Sequence, residues 1–482
     1  ELGATRAGVT GEAPSDVLWH YNLSARHLDK LCERVDTFSV SGDGERLVVR
    51  HRDDTIVVPS SHKVDDDDPA YIRVDLTRLR RTVNPRAEWR QMFDENGRLM
   101  ASHYWREDMN GVDWDSVLNR YRPLVDLCHV VDDLHDILWE TVAELNTSHS
   151  YVSASGAAGD SDMRAGLLGA DVSSGNDGAK VVRVIPGESS DPRAWSPLRA
   201  AGVAVTEGDV IVAVDGRKVG ADGNLGELLE GSAGRVVELT VRRGENERQV
   251  AVVPMADEAP LRYHDWVASR RRYVEEHSGG RLGYLHVPDM VSDGWAELHR
   301  QIGEATRHEG VIADVRFNHG GHTSQLVVER LARRVVGWDY SRWYATADTY
   351  PQNAVRGPIV MVTNQWAGSD GDIVAAATQA MGYAKVIGER SWGGVVGIDG
   401  RFDLVDGTSV TQPRYAGWYG SYGWGVENHG VDPDIVVTVS PEDWEADCDV
   451  QLDAAIAECL RQLDDKPAAT APELPGPAFD RC

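Results

Sequence analysis

The sequence predicts a multidomain α+β protein. Its 482 residues exceed what a single hydrophobic core usually organises, so roughly two to four packed domains are expected. Alternating apolar and polar residues near the start give way to a helical stretch, then to a second strand-rich stretch, and finally to strands that alternate with helices. These changes of pattern predict several successive domains of different type.

The charge of the chain excludes two classes of partner. Lys and Arg total 49 against 77 Asp and Glu, a formal charge of −28 at pH 7. Such a surface repels the phosphates of nucleic acids and anionic lipids alike. The sequence has no apolar run of about eighteen residues that could span a bilayer, and its start lacks the pattern of a signal peptide. We therefore expect no nucleic-acid partner and no membrane partner.

Cysteine usage favours a reducing compartment. The five cysteines are odd in number, scattered and without C-x-x-C spacing, so neither a disulfide framework nor a zinc ribbon is predicted. A cytoplasmic location fits this pattern. The chain begins at Glu1 rather than at methionine, which suggests a processed product or a fragment of a longer protein.

Residues 1–62 are predicted to be the end of a β-propeller. Within them, residues 37–58 alternate apolar and polar positions around the turns S-G-D-G and R-D-D-T, a pattern typical of short antiparallel strands. About one blade is present. A single blade cannot bury its faces, so either it packs on the next domain or earlier blades are missing.

Residues 63–160 are predicted to be a helical domain. One apolar stripe at steps of three and four residues predicts a helix that ends near Leu145 and comprises Leu124, Leu127, Val131, Leu134, Leu138, Val142 and Leu145. Asn146, Thr147 and Ser148 favour caps and turns over helix interiors. His149 is therefore expected on a loop just beyond a rigid helix.

Residues 161–256 resemble a PDZ domain. The segment is rich in predicted strands, Gly166 to Gly169 occupies the place of the carboxylate-binding loop, and residues 208–216 read G-D-V-I-V-A-V-D-G, close to the PDZ pattern G-D-x-I-x-x-V-D-G. A module of this kind either binds peptide or serves only as a spacer, and the sequence leaves both open.

Residues 257–462 alternate strands with helices and predict an α/β domain, while the Pro- and Ala-rich residues 463–482 predict a disordered tail. Within the α/β domain a buried strand ends at Asn364, a tight loop exposes Ser369, and a helix follows at once. The first free amides of that helix, Asp370 N–H among them, can donate to an oxyanion. The alternative is an ordinary helix start in which Ser369 or Asp370 is only the N-cap.

A nucleophilic serine needs a base, and His149 in N-T-S-H stands out among sixteen histidines because it follows the long helix. His319 and His322 form H-x-x-H, but no third ligand with zinc spacing follows, which argues against a metal. The turn around them is better interpreted as backbone amides freed by Gly320 and Gly321 to approach a ligand.

Five motifs in order resemble the tricorn proteases. They are N-T-S-H at 146–149, D-V-R-F-N-x-G-G at 314–321, A-G-S-D-G-D at 367–372, W-G-G-V-V-G-I at 392–398 and E-N-x-G-V-D-P-D at 427–434. The resemblance covers roughly residues 37–460. It implies the order propeller end, helical domain, PDZ domain and α/β serine-peptidase domain.

The resemblance also implies roles for individual residues. Ser369 would be the nucleophile and His149 its general base, with Ser148 and Glu427 completing the relay. The oxyanion amides fall on Asp370 and, within one residue, on Gly321. With a one-residue gap, the acidic residue that selects basic side chains falls on Asp339.

The family further implies oligopeptide substrates released by the proteasome, a cytoplasmic homohexamer and no cofactor. Complete members of the family carry two whole propellers that resemble substrate filters, so the gating of this chain is not implied.

Two rival interpretations remain. A C-terminal processing protease uses a Ser-Lys dyad with its lysine 25 residues beyond the serine, where this chain has Gly394. A PDZ-based peptide-binding scaffold with an inert catalytic domain is disfavoured by the complete tetrad, but a single sequence does not exclude it.

Overall fold

The computed structural model describes residues 16–51, 54–154, 163–220, 224–343 and 345–474. The chain divides into two compact units, each discontinuous in sequence. One unit comprises residues 1–83 and 164–262, and the other comprises residues 84–163 and 263–482. The helical segment thus shares a unit with the α/β segment, although the PDZ-like segment separates them along the chain.

The described residues form strands and α-helices throughout both units. The strands are, in chain order, β1 (Val17–Asn22), β2 (His27–Glu33), β3 (Thr37–Val40), β4 (Arg46–His51), β5 (Asp54–Pro59), β6 (Ile72–Val74), β7 (Val152–Ser153), β8 (Ala170–Gly175), β9 (Gly178–Val184), β10 (Val210–Val214), β11 (Arg217–Lys218), β12 (Val237–Arg243), β13 (Asn246–Val252), β14 (Leu282–His286), β15 (Gly310–Asp314), β16 (Gly337–Asp339), β17 (Asp348–Tyr350), β18 (Ile359–Thr363), β19 (Ala384–Gly388), β20 (Gly397–Asp399), β21 (Ser409–Val410), β22 (Gln412–Tyr415) and β23 (Ile435–Val436). The helices are α1 (Pro85–His103), α2 (Trp114–Val125), α3 (Val131–Ala143), α4 (Leu225–Leu228), α5 (Ala259–His277), α6 (Ser292–Ala305), α7 (Ser324–Leu331), α8 (Asp370–Met381), α9 (Pro441–Glu445) and α10 (Val450–Asp465).

The described residues of the first unit form three antiparallel sheets, of which the first is the pair β1-β2. Near the start, β3 to β6 form a four-stranded sheet in sequence order, in agreement with the strands predicted between residues 37 and 58. The PDZ-like segment forms a sheet in the order β13-β12-β10-β9-β8, with β11 paired to β10. Between β9 and β10, Pro197–Arg199 form a short 3-10 helix, and Ser196 caps it by accepting from the Leu198 N–H.

The described residues of the helical segment form three α-helices, α1 to α3. The predicted single stripe of residues 124–145 is wrong in its first part. The helix α2 ends at Val125, two residues after Pro123, and α3 begins at Val131, where the Asp133 carboxylate accepts from the N–H groups of His129 and Val130. Leu124 and Leu127 are exposed as a result, whereas the four α3-side positions of the stripe from Leu134 to Leu145 are buried.

The α/β segment is built on a fully parallel sheet of five strands in the order β14-β15-β18-β19-β23. Successive residues of each strand point to opposite faces. Leu285, Ala313 and Met361 pack with α6, α7 and α8 on one face, while Tyr284 and Ile312 pack with α5 and α10 on the other. Burial on both faces explains why these strands are near-continuous apolar runs.

The helical and α/β segments share a hydrophobic core inside the second unit. Leu404 and Val410 of the α/β segment lie in the same buried cluster as the core of α1, α2 and α3. The strands β7 and β21 pair antiparallel, with Val152 opposite Val410. This pairing anchors the chain three residues beyond His149 to the α/β segment.

The prediction that disorder starts at residue 463 is wrong for the first residues of that segment. The helix α10 continues to Asp465, and the Ala469 N–H donates to the Arg356 carbonyl at 2.9 Å. The last eight residues lie outside the described part of the chain. Among the described residues, no helix is both long and apolar enough to cross a membrane.

Candidate active site

Ser369 lies at the sharp turn between β18 and α8. Its backbone has φ 57° and ψ −119°, a left-handed conformation that is uncommon for a residue other than glycine. Backbone strain of this kind costs about 1–3 kcal/mol and clusters at functional sites. A strained strand-turn-helix serine is also the geometry of the nucleophile elbow of α/β hydrolases. The half-buried Ser369 side chain is therefore presented at the carboxyl edge of the sheet.

The glycine turn packs directly against this serine. A Cβ atom added to Gly320, whose φ is +74°, would lie 2.5 Å from the Ser369 Cβ and 3.1 Å from its Oγ. The backbone around Gly321 pairs with Met290. The Met290 N–H donates to the Gly320 carbonyl, and the His322 N–H donates to the Met290 carbonyl. In the described chain this pairing leaves the Gly321 N–H without a carbonyl acceptor. The backbone N–H of Asp370 is the second candidate donor beside Ser369, because the first amides of α8 have no partner within the helix.

Two buried asparagines hold the serine turn and the glycine turn together. The Gly368 N–H donates to the Asn318 carbonyl at 3.0 Å. The Asn364 side-chain oxygen accepts from the Phe317 N–H at 3.0 Å and from the Trp366 N–H at 3.3 Å. One side chain thus fixes both turns, so the two predicted oxyanion donors are held in a constant position relative to Ser369.

Hydrogen bonds link Ser148 both to His149 and to Glu427. Ser148 Oγ lies 3.0 Å from His149 Nδ1, and Glu427 Oε1 accepts from the Ser148 backbone N–H at 2.8 Å. The other carboxylate oxygen of Glu427 accepts from the N–H groups of Val395 at 2.7 Å and Val396 at 3.0 Å. Glu427 therefore holds Ser148 through its backbone N–H.

The loop that carries His149 is fixed at both ends. Asn146 adopts φ 45°, and its carbonyl accepts from the Asn428 side-chain amide at 2.7 Å. On the other side, the His149 carbonyl accepts from the Thr411 hydroxyl at 2.6 Å. Residues next to Glu427 and next to β21 thus position the histidine backbone.

The His149 imidazole is buried against aromatic rings. It is 8 % exposed, and its ring makes edge contacts with Trp392 and Tyr151 at centroid distances of 5.6 and 5.7 Å. Burial lowers the pKa of His149, and the charge of Glu427 opposes this effect. The imidazole is consequently held neutral, as a general base must be.

Trp392 connects the histidine to the serine turn. Its backbone N–H donates to the Ala367 carbonyl at 3.0 Å, and a Cβ added to Gly368 would lie 2.8 Å from the Trp392 ring.

The described residues contain no hydrogen bond between Ser369 Oγ and His149. In enzymes without bound substrate such bonds are often long and tighten only in the complex.

Asp372 is a functional candidate that the sequence analysis missed. Its fully buried carboxylate accepts from the Ser391 hydroxyl and from the N–H groups of Gly393 at 2.9 Å and Gly394 at 3.3 Å, and the Ser369 backbone N–H faces it closely enough to lower its pKa. Burial raises the pKa of Asp372 to about 6 against the opposing effect of these bonds. The pattern S-D-G-D before an apolar run is a capping-box signal that could have identified it.

Asp339 lies apart from this assembly in its contacts. It is exposed on β16, directly opposite Asp348 of β17. In the described ranges, no hydrogen bond or ion pair connects it to Ser369 or His149. Its role in specificity stays a prediction.

The loop predicted to bind a peptide carboxylate in the PDZ-like segment is occupied from within the chain. The N–H groups of Gly166 and Leu167 donate to the carbonyls of Leu229 and Met255, and the Gly169 N–H donates to the Glu258 carboxylate at 3.2 Å. These bonds favour the interpretation that the PDZ-like segment is a spacer.

Within the described part of the chain, no three His, Cys, Asp or Glu side chains are arranged to hold a metal ion.

Three family models match successive parts of the chain. They are the tricorn protease C1 domain at residues 85–143, the tricorn protease PDZ domain at 166–257 and peptidase family S41 at 281–437. The three matches follow the order expected from the motifs and confirm the fold class of helical, PDZ-like and α/β peptidase segments. They do not test the propeller end.

Relatives and a solved structure agree with these matches. Tricorn protease homolog 1 of Streptomyces coelicolor is 56% identical over 98% of this chain and 45% of its own length. Tricorn protease of Thermoplasma acidophilum is 34% identical over 96% of this chain and 43% of its own length. A crystal structure of the tricorn protease superposes with a TM-score of 0.87 at 34% identity, covering 93% of this chain and 43% of that one. The chain spans less than half the length of these relatives.

Proposed function

Because this chain carries the C1, PDZ and S41 peptidase domains of the tricorn protease family, we propose that it is a serine peptidase that hydrolyses short oligopeptides through an acyl-enzyme on Ser369. The observation that supports this most is the relay of Glu427, Ser148 and His149 in the same compact unit as the strained Ser369 turn.

In the acylation step, Ser369 Oγ attacks the scissile carbonyl carbon while His149 Nε2 takes the hydroxyl proton. This requires the tautomer in which Nδ1 carries hydrogen, and Ser148 Oγ, 3.0 Å from Nδ1, is the acceptor that selects it. The carbonyl oxygen becomes an oxyanion that accepts from the N–H groups of Asp370 and Gly321. The imidazolium then returns its proton to the amine, and the carbon–nitrogen bond breaks.

Deacylation repeats the same steps with water. His149 takes a proton from the attacking water, the oxygen adds to the ester carbon, and the proton returns to Ser369 Oγ as the acid product leaves. Glu427 stabilises the imidazolium formed in each half-reaction through its charge, which already opposes the effect of burial on the His149 pKa. Ser148 transmits orientation, because its backbone is held by Glu427 and its side chain faces the ring.

The resemblance to tricorn proteases supports the finer parts of the proposal. Substrates are oligopeptides released by the proteasome, Asp339 selects basic side chains before the cut, and the assembly is a cytoplasmic homohexamer. Light scattering on the purified chain measures the last of these, and a mass other than that of six chains would contradict it.

Peptide turnover by single and double variants tests the proposed function. Residues that act as one unit give non-additive losses. We expect Ser369→Ala and His149→Ala each to abolish hydrolysis of fluorogenic peptides, and the double variant to be no worse than Ser369→Ala. A His149→Ala enzyme within about tenfold of wild type would mean that the base lies elsewhere.

The rival dyad mechanism lacks support at the corresponding position. Gly394 stands where its lysine would be, and the Gly394 N–H donates to Asp372. An inert scaffold predicts no turnover by wild type and no difference between wild type and Ser369→Ala.

A further inference from the structure

The Asp372 carboxylate lies at the junction of the serine turn and the loop at residues 391–396. Asp372 is the third residue of α8, and there the backbone N–H of Ser369, the residue before the helix, faces its carboxylate and lowers its pKa. The third helical position is also that of the acidic residue in a capping box. The same carboxylate accepts from the Ser391 hydroxyl and from the Gly393 and Gly394 N–H groups. One buried charge therefore joins two segments about twenty residues apart.

The loop held by Asp372 is the loop that holds Glu427. The next two amides, those of Val395 and Val396, donate to the Glu427 carboxylate. The Asn428 N–H donates to the Gly393 carbonyl at 2.7 Å. If this loop moved, it would therefore displace Glu427, and with Glu427 the backbone of Ser148.

Close glycine packing makes the contact between the two loops rigid. A Cβ added to Gly393, whose φ is +93°, would lie 2.5 Å from the Gly430 backbone nitrogen, and one added to Gly430 would lie 2.2 Å from the Ser391 carbonyl oxygen. Ser391 Oγ also accepts from the Val431 N–H at 2.8 Å. With no space to relax, the loops keep the register that Asp372 sets.

We propose that Asp372 is a positioning residue for catalysis, which fixes the Ser369 turn and, through the 391–396 loop, the Glu427 end of the histidine relay. This inference rests on the proposed function of Ser369, His149 and Glu427. It assigns Asp372 no contact with substrate and no proton transfer.

The surroundings of Asp372 require a carboxylate rather than an amide. Each of its four contacts is a hydrogen-bond donor, because Ser391 Oγ accepts from Val431 and so points its hydrogen at Asp372. Asparagine has nearly the same shape but replaces one acceptor oxygen with a second donor group. In Asp372→Asn the amide nitrogen would face donors whichever way it is turned.

The test compares Asp372→Asn with wild type in the full chain. A lost hydrogen bond to a charged group in a positioned site corresponds to a decrease in kcat of about 10- to 150-fold. We expect KM for a fluorogenic peptide to stay within about threefold, since no peptide contact is removed. The rate of fluorophosphonate labelling should fall with kcat, because it measures the reactivity of Ser369 without peptide binding.

A double-mutant cycle with Glu427→Gln tests the route through the loop. If both residues hold the same relay, their combined loss in kcat should be smaller than the product of the single losses by about fivefold or more. Losses that multiply would overturn the proposed route, because they would mean that Asp372 acts independently of Glu427.

Two further variants separate positioning from stability. Asp434→Asn removes a carboxylate that accepts from the Val386 N–H at 2.8 Å in the same sheet, and its kcat should stay within about threefold of wild type. An equal loss of kcat in Asp434→Asn would overturn the inference. Should Asp372→Asn fail to fold, Ser391→Ala removes one of its donors, and a kcat decrease of about 5- to 30-fold is expected.

The outcomes distinguish this inference from the function on which it rests. If Ser369→Ala is inactive while Asp372→Asn and Ser391→Ala both keep kcat within about threefold of wild type, the inference is wrong and the proposed function stands. If Ser369→Ala retains turnover, the proposed function fails and the inference fails with it.

Discussion

Replacing Glu427 with glutamine is expected to damage the relay while leaving the fold intact. Glu427 accepts three backbone N–H groups, two on Oε2 and one on Oε1. Glutamine can keep only one acceptor oxygen, and the orientation that satisfies both Val395 and Val396 turns the amide nitrogen toward the Ser148 N–H. The variant should thus release the backbone of the residue beside His149.

The expected magnitude has two parts. A hydrogen bond to a charged group contributes about 1.5–3 kcal/mol, and the loss of the carboxylate charge removes stabilisation from the imidazolium formed during catalysis. Together they predict a decrease in kcat of about 10²- to 10³-fold with KM little changed. Glu427 also borders a cavity of about 480 Å³ lined by Trp105, Trp424 and Asn428, so the amide is not forced into a sealed core.

Steady-state kinetics on a fluorogenic peptide measure this effect, and thermal unfolding monitored by circular dichroism checks the fold. The matched control is Glu445→Gln, which changes an exposed glutamate at the end of the α9 helix. A Glu427→Gln enzyme with kcat within about threefold of wild type would refute the relay.

Three other perturbations are expected to change catalysis. Burial lowers the pKa of His149 below its ordinary value of 6.5, so the base stays neutral to lower pH. The acid limb of the kcat/KM profile against pH should therefore inflect below pH 6.5. An inflection above pH 6.5 would contradict the effect of burial on His149. In Gly320→Ala the new methyl group would clash with the Ser369 side chain and displace the turn that carries the oxyanion donor. We therefore expect kcat to fall by about 10²-fold or more. An unchanged kcat would exclude the turn from the site. For specificity, Asp339→Asn should lower the ratio of kcat/KM for an Arg peptide to kcat/KM for a matched Leu peptide by about 30- to 1,000-fold. The control is Asp348→Asn, which changes the cross-strand partner of Asp339 and should leave this ratio unchanged. Equal ratios in the two variants would mean that Asp339 is not the selector.

Local pattern was sufficient to predict the alternating strands and helices of the α/β segment and the turn that carries Ser369. Strands such as β15 and β18 are buried on both faces, so their apolar runs stand out in the sequence. The turn after β18 combines a strand end, a small-residue loop and an immediate helix, and these signals depend only on neighbouring residues. The break between α2 and α3 was missed because the apolar spacing continues across it, although Pro123 and Asp133 mark it.

The relay of His149, Ser148 and Glu427 could not be predicted from local pattern, because it depends on contacts between residues that are far apart in the sequence. Ser148 and Glu427 are 279 residues apart, and their hydrogen bond exists because β7 pairs with β21 and the helical core includes Leu404 and Val410. Resemblance to a family indicated these residues, but it did not indicate that Glu427 holds the backbone of Ser148. Nor did it indicate the role of Asp372, whose partners lie in a loop without regular secondary structure.

The most direct test of the central claim is covalent labelling of the 482-residue chain with a fluorophosphonate, followed by peptide mapping and by turnover measurements on Ser369→Ala. We expect a single adduct on Ser369 in wild type, loss of that adduct in the variant, and a decrease in turnover of about 10⁶-fold with the unfolding midpoint retained. An adduct on a different residue, or turnover by Ser369→Ala within about tenfold of wild type, would contradict it.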